Sequence, residues 1–121
     1  MHEISIAQSL IDVVVEQLIE SGASRVKTVT VEVGDLSGVV PAALQSAFAS
    51  AIRSEEGLAG AKLVIRPVAV TIHCPHCQAD QLAVSVQSLV CRVCGTPSNV
   101  VTAGRELDVI SIEVDDAAAD S

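Results

Sequence analysis

Hydrophobic side chains recur every three or four positions over residues 3–20, which is the period of an amphipathic helix. The members of this apolar stripe are Ile4, Ala7, Ile11, Val14 and Leu18. Acidic and amide side chains fall between them, so one face of the helix should be buried and the other exposed. Ser21 and Gly22 predict the end of the helix, because glycine tolerates the left-handed conformation that often terminates one.

Strand patterns follow this helix. Residues 26–33 alternate valine with threonine and glutamate, which predicts a strand with one buried face. Residues 61–70 and 105–114 read as two further strands. Pro41 suits the first turn of a second helix, where its missing N–H is not needed. The apolar face of that helix is predicted to hold Leu44, Phe48 and Ile52.

All four cysteines lie in residues 73–103, a segment that also contains several turn formers. A predicted strand precedes the segment and another follows it, so we interpret it as an insertion. The expected fold is α+β, with two helices on a small three-stranded mixed sheet and an inserted four-cysteine zinc-ribbon domain. The predicted domains are an α+β domain of residues 1–72 plus 104–115, a zinc domain of residues 73–103, and a flexible acidic tail over residues 116–121.

Composition and charge narrow the function classes. The 121 residues are 50% hydrophobic, carry a net charge of -8 and include one phenylalanine but no tyrosine or tryptophan. Such a chain lacks the basic surface and the stacking side chains that bind nucleic acids, and an anionic membrane repels it. Cation handling or docking to a basic partner fits better. The first twenty residues show no secretory pattern, so we expect a cytoplasmic protein with reduced cysteines.

Two Cys-x-x-Cys pairs, Cys74 with Cys77 and Cys91 with Cys94, are separated by thirteen residues. Each pair can turn two thiolates toward one ion, and the intervening segment is long enough to fold back as a hairpin. Four converging thiolates predict a tetrahedral zinc site. Gly95 would allow the second turn a positive φ. Because the site leaves no position for a reactive water, we expect structural zinc and no enzymatic activity.

Two histidines lie next to the first cysteine pair. His73 and His76 are either exposed turn residues or ligands that replace a thiolate when pH or nickel loading changes. The second interpretation stays open because imidazole titrates near neutral pH and is itself a metal ligand.

The amino terminus offers a second group of metal ligands. His2 is bulky, so Met1 should be retained. The α-amine of Met1, the amide nitrogen of His2 and the His2 imidazole then occupy consecutive chelate positions. With a fourth donor they suit the tetragonal geometry that Ni²⁺ or Cu²⁺ accepts. Glu3 is either an adjacent donor or a cap for the first helix, where a carboxylate offsets the N-terminal dipole.

Several motifs of one known family occur together in this chain. They are the opening Met1-His2-Glu3, residues 33–39 (Val-Gly-Asp-Leu-Ser-Gly-Val) followed by Pro41, Leu44 and Phe48, the two cysteine pairs, Gly104 with Glu106-Leu107, and Ser111-Ile112-Glu113. With these motifs the chain resembles the HypA/HybF family of hydrogenase nickel-incorporation proteins nearly from end to end. A generic zinc ribbon would share only the cysteines.

The resemblance implies a nickel metallochaperone for [NiFe]-hydrogenase maturation. It implies that His2 is the essential nickel ligand with Glu3 close by, and that Cys74, Cys77, Cys91 and Cys94 hold structural zinc. The transported metal would be Ni(II) and the resident one Zn(II). The partners expected from the resemblance are the maturation GTPase and the hydrogenase large-subunit precursor, together with urease maturation proteins in some organisms. A homodimer is a further expectation.

The chain departs from the family pattern at a few positions. Arg92 stands where many relatives have proline, and His73 precedes the first pair instead of following it. A histidine-dependent switch at the zinc site therefore does not transfer directly. Val39 and Val40 occupy a stretch where relatives offer an acidic nickel ligand, and Asp35 is the nearest carboxylate.

Two other classes compete with the metallochaperone. A zinc-ribbon adaptor for transcription machinery or another interaction partner would explain the cysteines, but it leaves the amino terminus unexplained and conflicts with the charge. A thiol redox enzyme would use a single Cys-x-x-Cys at a strand-to-helix turn, whereas two pairs converge here.

Overall fold

The computed structural model describes residues 2–115, and for His2 it describes the backbone alone. Within residues 2–115, two α-helices, a short 3₁₀ helix and six strands follow one another. They are α1 (His2–Ser21), β1 (Arg25–Gly34), α2 (Pro41–Ala51), the 3₁₀ helix (Ile52–Ser54), β2 (Lys62–Val68), β3 (Thr71–Cys74), β4 (Ala79–Leu82), β5 (Val101–Ala103) and β6 (Leu107–Asp115). The strands form two three-stranded sheets, in the orders β2-β1-β6 and β4-β3-β5. The predicted α+β class is confirmed, and the second sheet is an addition to the single sheet expected.

The chain divides into two compact units. Within the described residues, the first takes 2–31, 39–65 and 109–115, and the second takes 32–38 and 66–108. The domain boundaries that we predicted around an insert of residues 73–103 stay a prediction, because compactness does not show which segment folds by itself. The predicted tail, 116–121, lies outside the described residues. Neither α1 nor α2 is long and apolar enough to cross a membrane.

Aliphatic side chains fill the core of the first unit. Its most buried members are Ala7, Ile11, Val14, Val26, Val29, Val31, Leu44, Phe48 and Leu58. The helical stripe predicted from the sequence is buried from Ala7 to Leu18, but Ile4 is 63% exposed. Ile4 lies over a shallow cleft whose α2 side is formed by alanines and serines. These side chains are too short to cover Ile4, so the apolar stripe is exposed in the first turn of α1.

The first sheet is mixed, as predicted. Asp35, just after the end of β1, donates its N–H to the carbonyl of Val68, the last residue of β2, at 2.9 Å. The C-terminal ends of β1 and β2 therefore lie side by side, so these two strands are parallel. A parallel pair needs a long crossover connection, and the segment containing α2 provides it. Gly34 at the end of β1 donates to the carbonyl of Glu106, next to the start of β6, at 2.8 Å. Strands β1 and β6 are therefore antiparallel.

The second unit is built on the β3–β4 hairpin. Its register runs from Thr71 opposite Leu82 to Cys74 opposite Ala79, and β5 pairs with the other edge of β3. The segment between the two cysteine pairs was predicted to fold back as a hairpin, and its backbone does so. Val84 N–H donates to the carbonyl of Val90 at 3.0 Å, Arg92 N–H donates to the carbonyl of Leu82 at 2.9 Å, and an antiparallel bridge joins Ala83 to Cys91. The first Cys-x-x-Cys forms the tight turn of the preceding β3–β4 hairpin.

Gly34 lies where two backbone segments of the second unit approach closely. A Cβ at this position would overlap the carbonyl of Gly104 and lie 2.7 Å from the nitrogen of Arg105. Backbone atoms cannot rotate aside, so we expect Gly34→Ala to lower the free energy of unfolding by about 3 kcal/mol or more. Denaturant titration monitored by circular dichroism measures this loss.

The matched control is Gly22→Ala, at the end of α1. Gly22 has a φ of 73° and nothing within 4 Å of an added Cβ. The left-handed backbone conformation alone should disfavour alanine there, and it should lower the free energy of unfolding by about 1 kcal/mol. Equal losses for the two variants would mean that the backbone approach at Gly34 does not constrain the fold.

Candidate metal centre

The four cysteine sulfur atoms converge in the second unit. All four lie within 4.8 Å of one another, and they form the one cluster of three or more potential metal ligands found among residues 2–115. The Cys74–Cys94, Cys77–Cys94 and Cys77–Cys91 sulfur pairs are 3.5, 3.7 and 3.9 Å apart. A tetrahedron with metal–sulfur bonds of about 2.3 Å has edges of about 3.8 Å. Three of the six sulfur pairs therefore already stand near the spacing that a tetrahedral metal site requires, and the other three lie within 4.8 Å.

Two tight turns hold these sulfur atoms in place. Cys74 ends β3, and the N–H of Cys77 donates to the Cys74 sulfur at 3.3 Å. In the second turn, the N–H of Gly95 donates to the carbonyl of Cys91 at 2.8 Å, and Gly95 has the positive φ, 78°, predicted from the sequence. Each Cys-x-x-Cys pair thus curls so that both of its sulfur atoms face the same point.

The cluster is covered on one side and open on the other. Cys74 and Cys91 are 0% and 1% exposed and belong to the small core of the second unit, with Val70 and Ile72. Cys94 is exposed and Cys77 is intermediate. Two of the metal ligands are thus also core residues, so metal binding and packing depend on the same side chains.

Hydrogen bonding shifts the pKa values of the two more exposed thiols, Cys77 and Cys94, in opposite directions. The hydroxyl and N–H of Thr96 stabilise the Cys94 thiolate and lower its pKa to about 6, with the Cys94 sulfur 3.2 Å from the Thr96 hydroxyl oxygen. Hydrogen bonds with Cys94 and the other thiols raise the pKa of Cys77 to about 12. The cluster without metal therefore shares protons among its sulfur atoms, and a bound cation would replace them.

Neither histidine near the first pair belongs to the sulfur cluster. His73 lies opposite Asp80 in the β3–β4 register, and its Nδ1 is 3.1 Å from the Asp80 carboxylate. His76 is exposed within the turn. In this conformation the His73 side chain contacts a carboxylate and both rings lie apart from the metal ligands.

The amino-terminal ligands are described only in part. Met1 lies outside the described residues, and His2 is the first residue of α1. Glu3 accepts a hydrogen bond from the N–H of Val40 at 3.2 Å. Val40 is the N-cap residue of α2 and has no side-chain cap of its own. The Glu3 carboxylate therefore caps α2, where the sequence had suggested α1, and the nickel site predicted at Met1, His2 and Glu3 stays a prediction.

Sequence reasoning missed two residues at these sites. Thr96 contacts a cysteine two positions away, and a hydroxyl close behind a Cys-x-x-Cys pair could have indicated it. The Glu3–Val40 contact joins residues thirty-seven positions apart. No local pattern in the sequence signals such a contact.

The family of this chain follows from its similarity to known proteins. A family model described as hydrogenase/urease nickel incorporation, metallochaperone, hypA, matches residues 1–114. This chain belongs to the HypA family. The hydrogenase maturation factor HypA of Deinococcus radiodurans is 42% identical over 109 residues, covering 90% of this chain and 89% of that protein. The one from Chloroflexus aurantiacus is 35% identical over 113 residues, covering 93% and 98%.

Solved structures agree with this assignment. A solution structure of a HypA protein has a TM-score of 0.69 and 28% identity, covering 94% of this chain and 96% of its own. The solution structure of the Ni metallochaperone HypA from Helicobacter pylori has a TM-score of 0.68 and covers 94% and 97%. At 24% identity the latter supports the fold alone. The HypA family is thus shown by sequence, and its α+β fold by structure.

We expect Thr96→Val to make the sulfur cluster of this HypA-family protein release metal at a higher pH. Ligation needs thiolates, so protons compete with the metal for the sulfur atoms and displace it as pH falls. Thr96 lowers the pKa of Cys94. Without its hydroxyl that pKa rises, and protons displace the metal sooner. Competition with a chromogenic chelator between about pH 7.5 and pH 4.5, bracketing that pKa of about 6, measures the shift.

Thr102→Val is the matched control, because Thr102 is an exposed threonine of β5 in the same unit. Its release profile should equal that of the unmodified protein. Superimposable profiles for all three proteins would show that the Thr96 hydroxyl does not stabilise the ligand thiolate.

Proposed function

We propose that this HypA-family protein binds Ni(II) at its amino terminus and delivers it for [NiFe]-hydrogenase maturation, while a structural zinc ion occupies the four-cysteine site. The observation that carries the proposal is the cluster of four sulfur atoms in the second unit, which supplies a metal site made of cysteine alone. The sequence Met1-His2 offers a donor set of different chemistry, an amine and an imidazole nitrogen.

The sulfur spacing favours zinc in the cysteine site. Four thiolates in a square plane around an ion, with bonds of about 2.3 Å, would have neighbours about 3.3 Å apart, against about 3.8 Å in a tetrahedron. The three measured pairs, at 3.5, 3.7 and 3.9 Å, average 3.7 Å, which is nearer to the tetrahedral value. Zinc has no preference for the planar geometry that Ni(II) often adopts. Zinc there would complete the small core of the second unit.

The start of α1 favours nickel chelation. The first N–H groups of a helix have no acceptor within it, so the His2 amide is not needed by the helix. The N-terminal dipole also favours a negative group, and a deprotonated amide nitrogen is one. The Glu3–Val40 hydrogen bond fixes the residue next to these donors. Glu3 is thereby held beside the nickel that Met1 and His2 would bind.

Partners follow from the family and the charge. We infer a cytoplasmic protein that meets the maturation GTPase and the hydrogenase large-subunit precursor, with urease maturation proteins and self-association as further partners. A net charge of -8 favours docking to basic surfaces and provides no basic surface for nucleic acid. This role requires metal binding and transfer, without catalysis by the chain.

We expect His2→Ala to weaken nickel binding by at least about a hundredfold, because loss of even an outer partner of a metal ligand costs 10–100-fold. Zinc content and thermal unfolding should not change, since His2 is the first residue of α1 and the core begins at Ala7. Isothermal titration with nickel and metal analysis of the purified protein give both readouts.

Ser5→Ala, at an exposed position one turn into α1, is the matched control and should bind nickel like the unmodified protein. A short extension before Met1 tests the amine separately, because acylation converts a good donor into an amide. Undiminished nickel affinity in His2→Ala would refute the proposed site.

The zinc proposal predicts that Cys91→Ala unfolds residues 73–103 and leaves the first unit folded. Cys91 is a ligand and a core residue, and the surrounding core contains few other large side chains. Structural zinc contributes roughly 10–16 kcal/mol of apparent binding energy in short peptides, which so small a core cannot replace. Amide hydrogen exchange should become fast throughout residues 73–103 and stay slow in α1 and α2.

Val93→Ala is the control for this variant, because Val93 lies in the same turn with its side chain 70% exposed. Its exchange pattern should match that of the unmodified protein. Unchanged protection of residues 73–103 in Cys91→Ala, or loss of protection throughout the chain, would rule out a modular zinc unit.

A further inference from the structure

A groove in the first unit has no role in either metal site. It lies between α1 and β6 and has a volume of about 420 Å³. Its lining is mostly aliphatic, with Val13 from α1 and Ile110, Ile112 and Val114 from β6. Val13 and Ile110 are 46% and 40% exposed. Aliphatic side chains open to solvent along a groove are typical of surfaces that bind another molecule.

The strand that forms one wall is an edge strand. In the order β2-β1-β6, β6 pairs with β1 and has no strand on its other side among the described residues. It is nine residues long, and its end is tied to β1 through Asp115, which accepts from Ser24 N–H at 3.1 Å and from Arg25 Nε at 3.0 Å. A long, firmly held edge offers a row of N–H and C=O groups to an added strand.

The helix that forms the other wall carries a row of carboxylates. Asp12, Glu16 and Glu20 each precede a groove residue of α1 by one position, and all three are exposed. Helix α1 contains no lysine or arginine, and these carboxylates have no ion-pair partner within residues 2–115. Like charges four positions apart destabilise a helix by about 0.2–0.5 kcal/mol per pair. The row therefore costs stability and is not neutralised inside the described structure.

The spacing of the two walls fits one kind of occupant. Carboxylates four residues apart on a helix recur about every 6 Å, and alternate side chains of a strand recur about every 6.7 Å. A strand added to β6 would therefore present every second side chain opposite one carboxylate. Basic side chains on that face would find partners there, and their methylene stems would cover the aliphatic lining of the groove.

We propose that this groove docks an extended basic segment of a partner protein, which adds as a strand to β6 and places lysine or arginine side chains against Asp12, Glu16 and Glu20. A second copy of this chain is a poor occupant, because it would bring the same carboxylate row and another net charge of -8 to the surface. The proposal does not depend on where nickel binds.

A labelled heptapeptide that alternates lysine and valine is the probe. Fluorescence anisotropy against the full chain should show binding that weakens as salt rises. A glutamate–valine peptide should not bind, and a central proline should weaken binding at least about tenfold, or about 1.4 kcal/mol, because it removes a ladder donor. Amide exchange should slow along β6. Equal binding of the acidic and basic peptides, or no binding of the basic one, would overturn the proposal.

Paired variants locate the site. Val13→Lys and Ile19→Lys each add one positive charge to an exposed aliphatic position of α1, but only Val13 lines the groove. Val13→Lys should lower the affinity for the basic peptide at least about tenfold, whereas Ile19→Lys should lower it by less than about twofold. Thermal unfolding confirms that both variants fold. Equal effects would overturn the groove as the site, and a concentration-dependent dimer abolished by Val13→Lys would identify a second copy as the occupant instead.

Discussion

The convergence of four sulfur atoms is the constraint on which the second unit depends. Its core is small, and Cys74 and Cys91 are among its most buried members. The β3–β4 hairpin and the turn after Cys91 each aim two sulfur atoms at one point, at separations of 3.5 to 3.9 Å among the pairs measured. Four thiolates so close together repel one another unless protons or a cation intervene. A metal bound there would therefore contribute to the fold as well as occupy a site.

The first unit depends on aliphatic packing and needs no sulfur. Its two helices and the valines of β1 supply a continuous core, with Phe48 and Leu44 almost fully buried. The Glu3–Val40 hydrogen bond brings the start of α1 and the start of α2 together. The proposed nickel ligands would thus adjoin a helix pair held together by its own packing.

Sequence patterns identified the features that depend on local spacing. The helical period predicted α1 and the apolar face of α2, and the two Cys-x-x-Cys pairs predicted the cluster of four sulfur atoms. The positive φ of Gly95 followed from its place after Cys94. Features that depend on distant residues were missed. Ile4 fits the helical stripe but is exposed because α2 offers only short side chains there, and the Glu3–Val40 contact leaves no local trace. The second sheet arises because β5 returns to β3 from nearly thirty residues away.

Two metals in two chemically different sites form the centre of this account. X-ray absorption at both metal edges, on one sample loaded with equal amounts of zinc and nickel, tests it most directly. The account predicts a zinc shell of four sulfur atoms at about 2.3 Å and a nickel shell of nitrogen and oxygen atoms without sulfur. Sulfur in the nickel shell, or nitrogen and oxygen replacing the zinc sulfur shell, would contradict it.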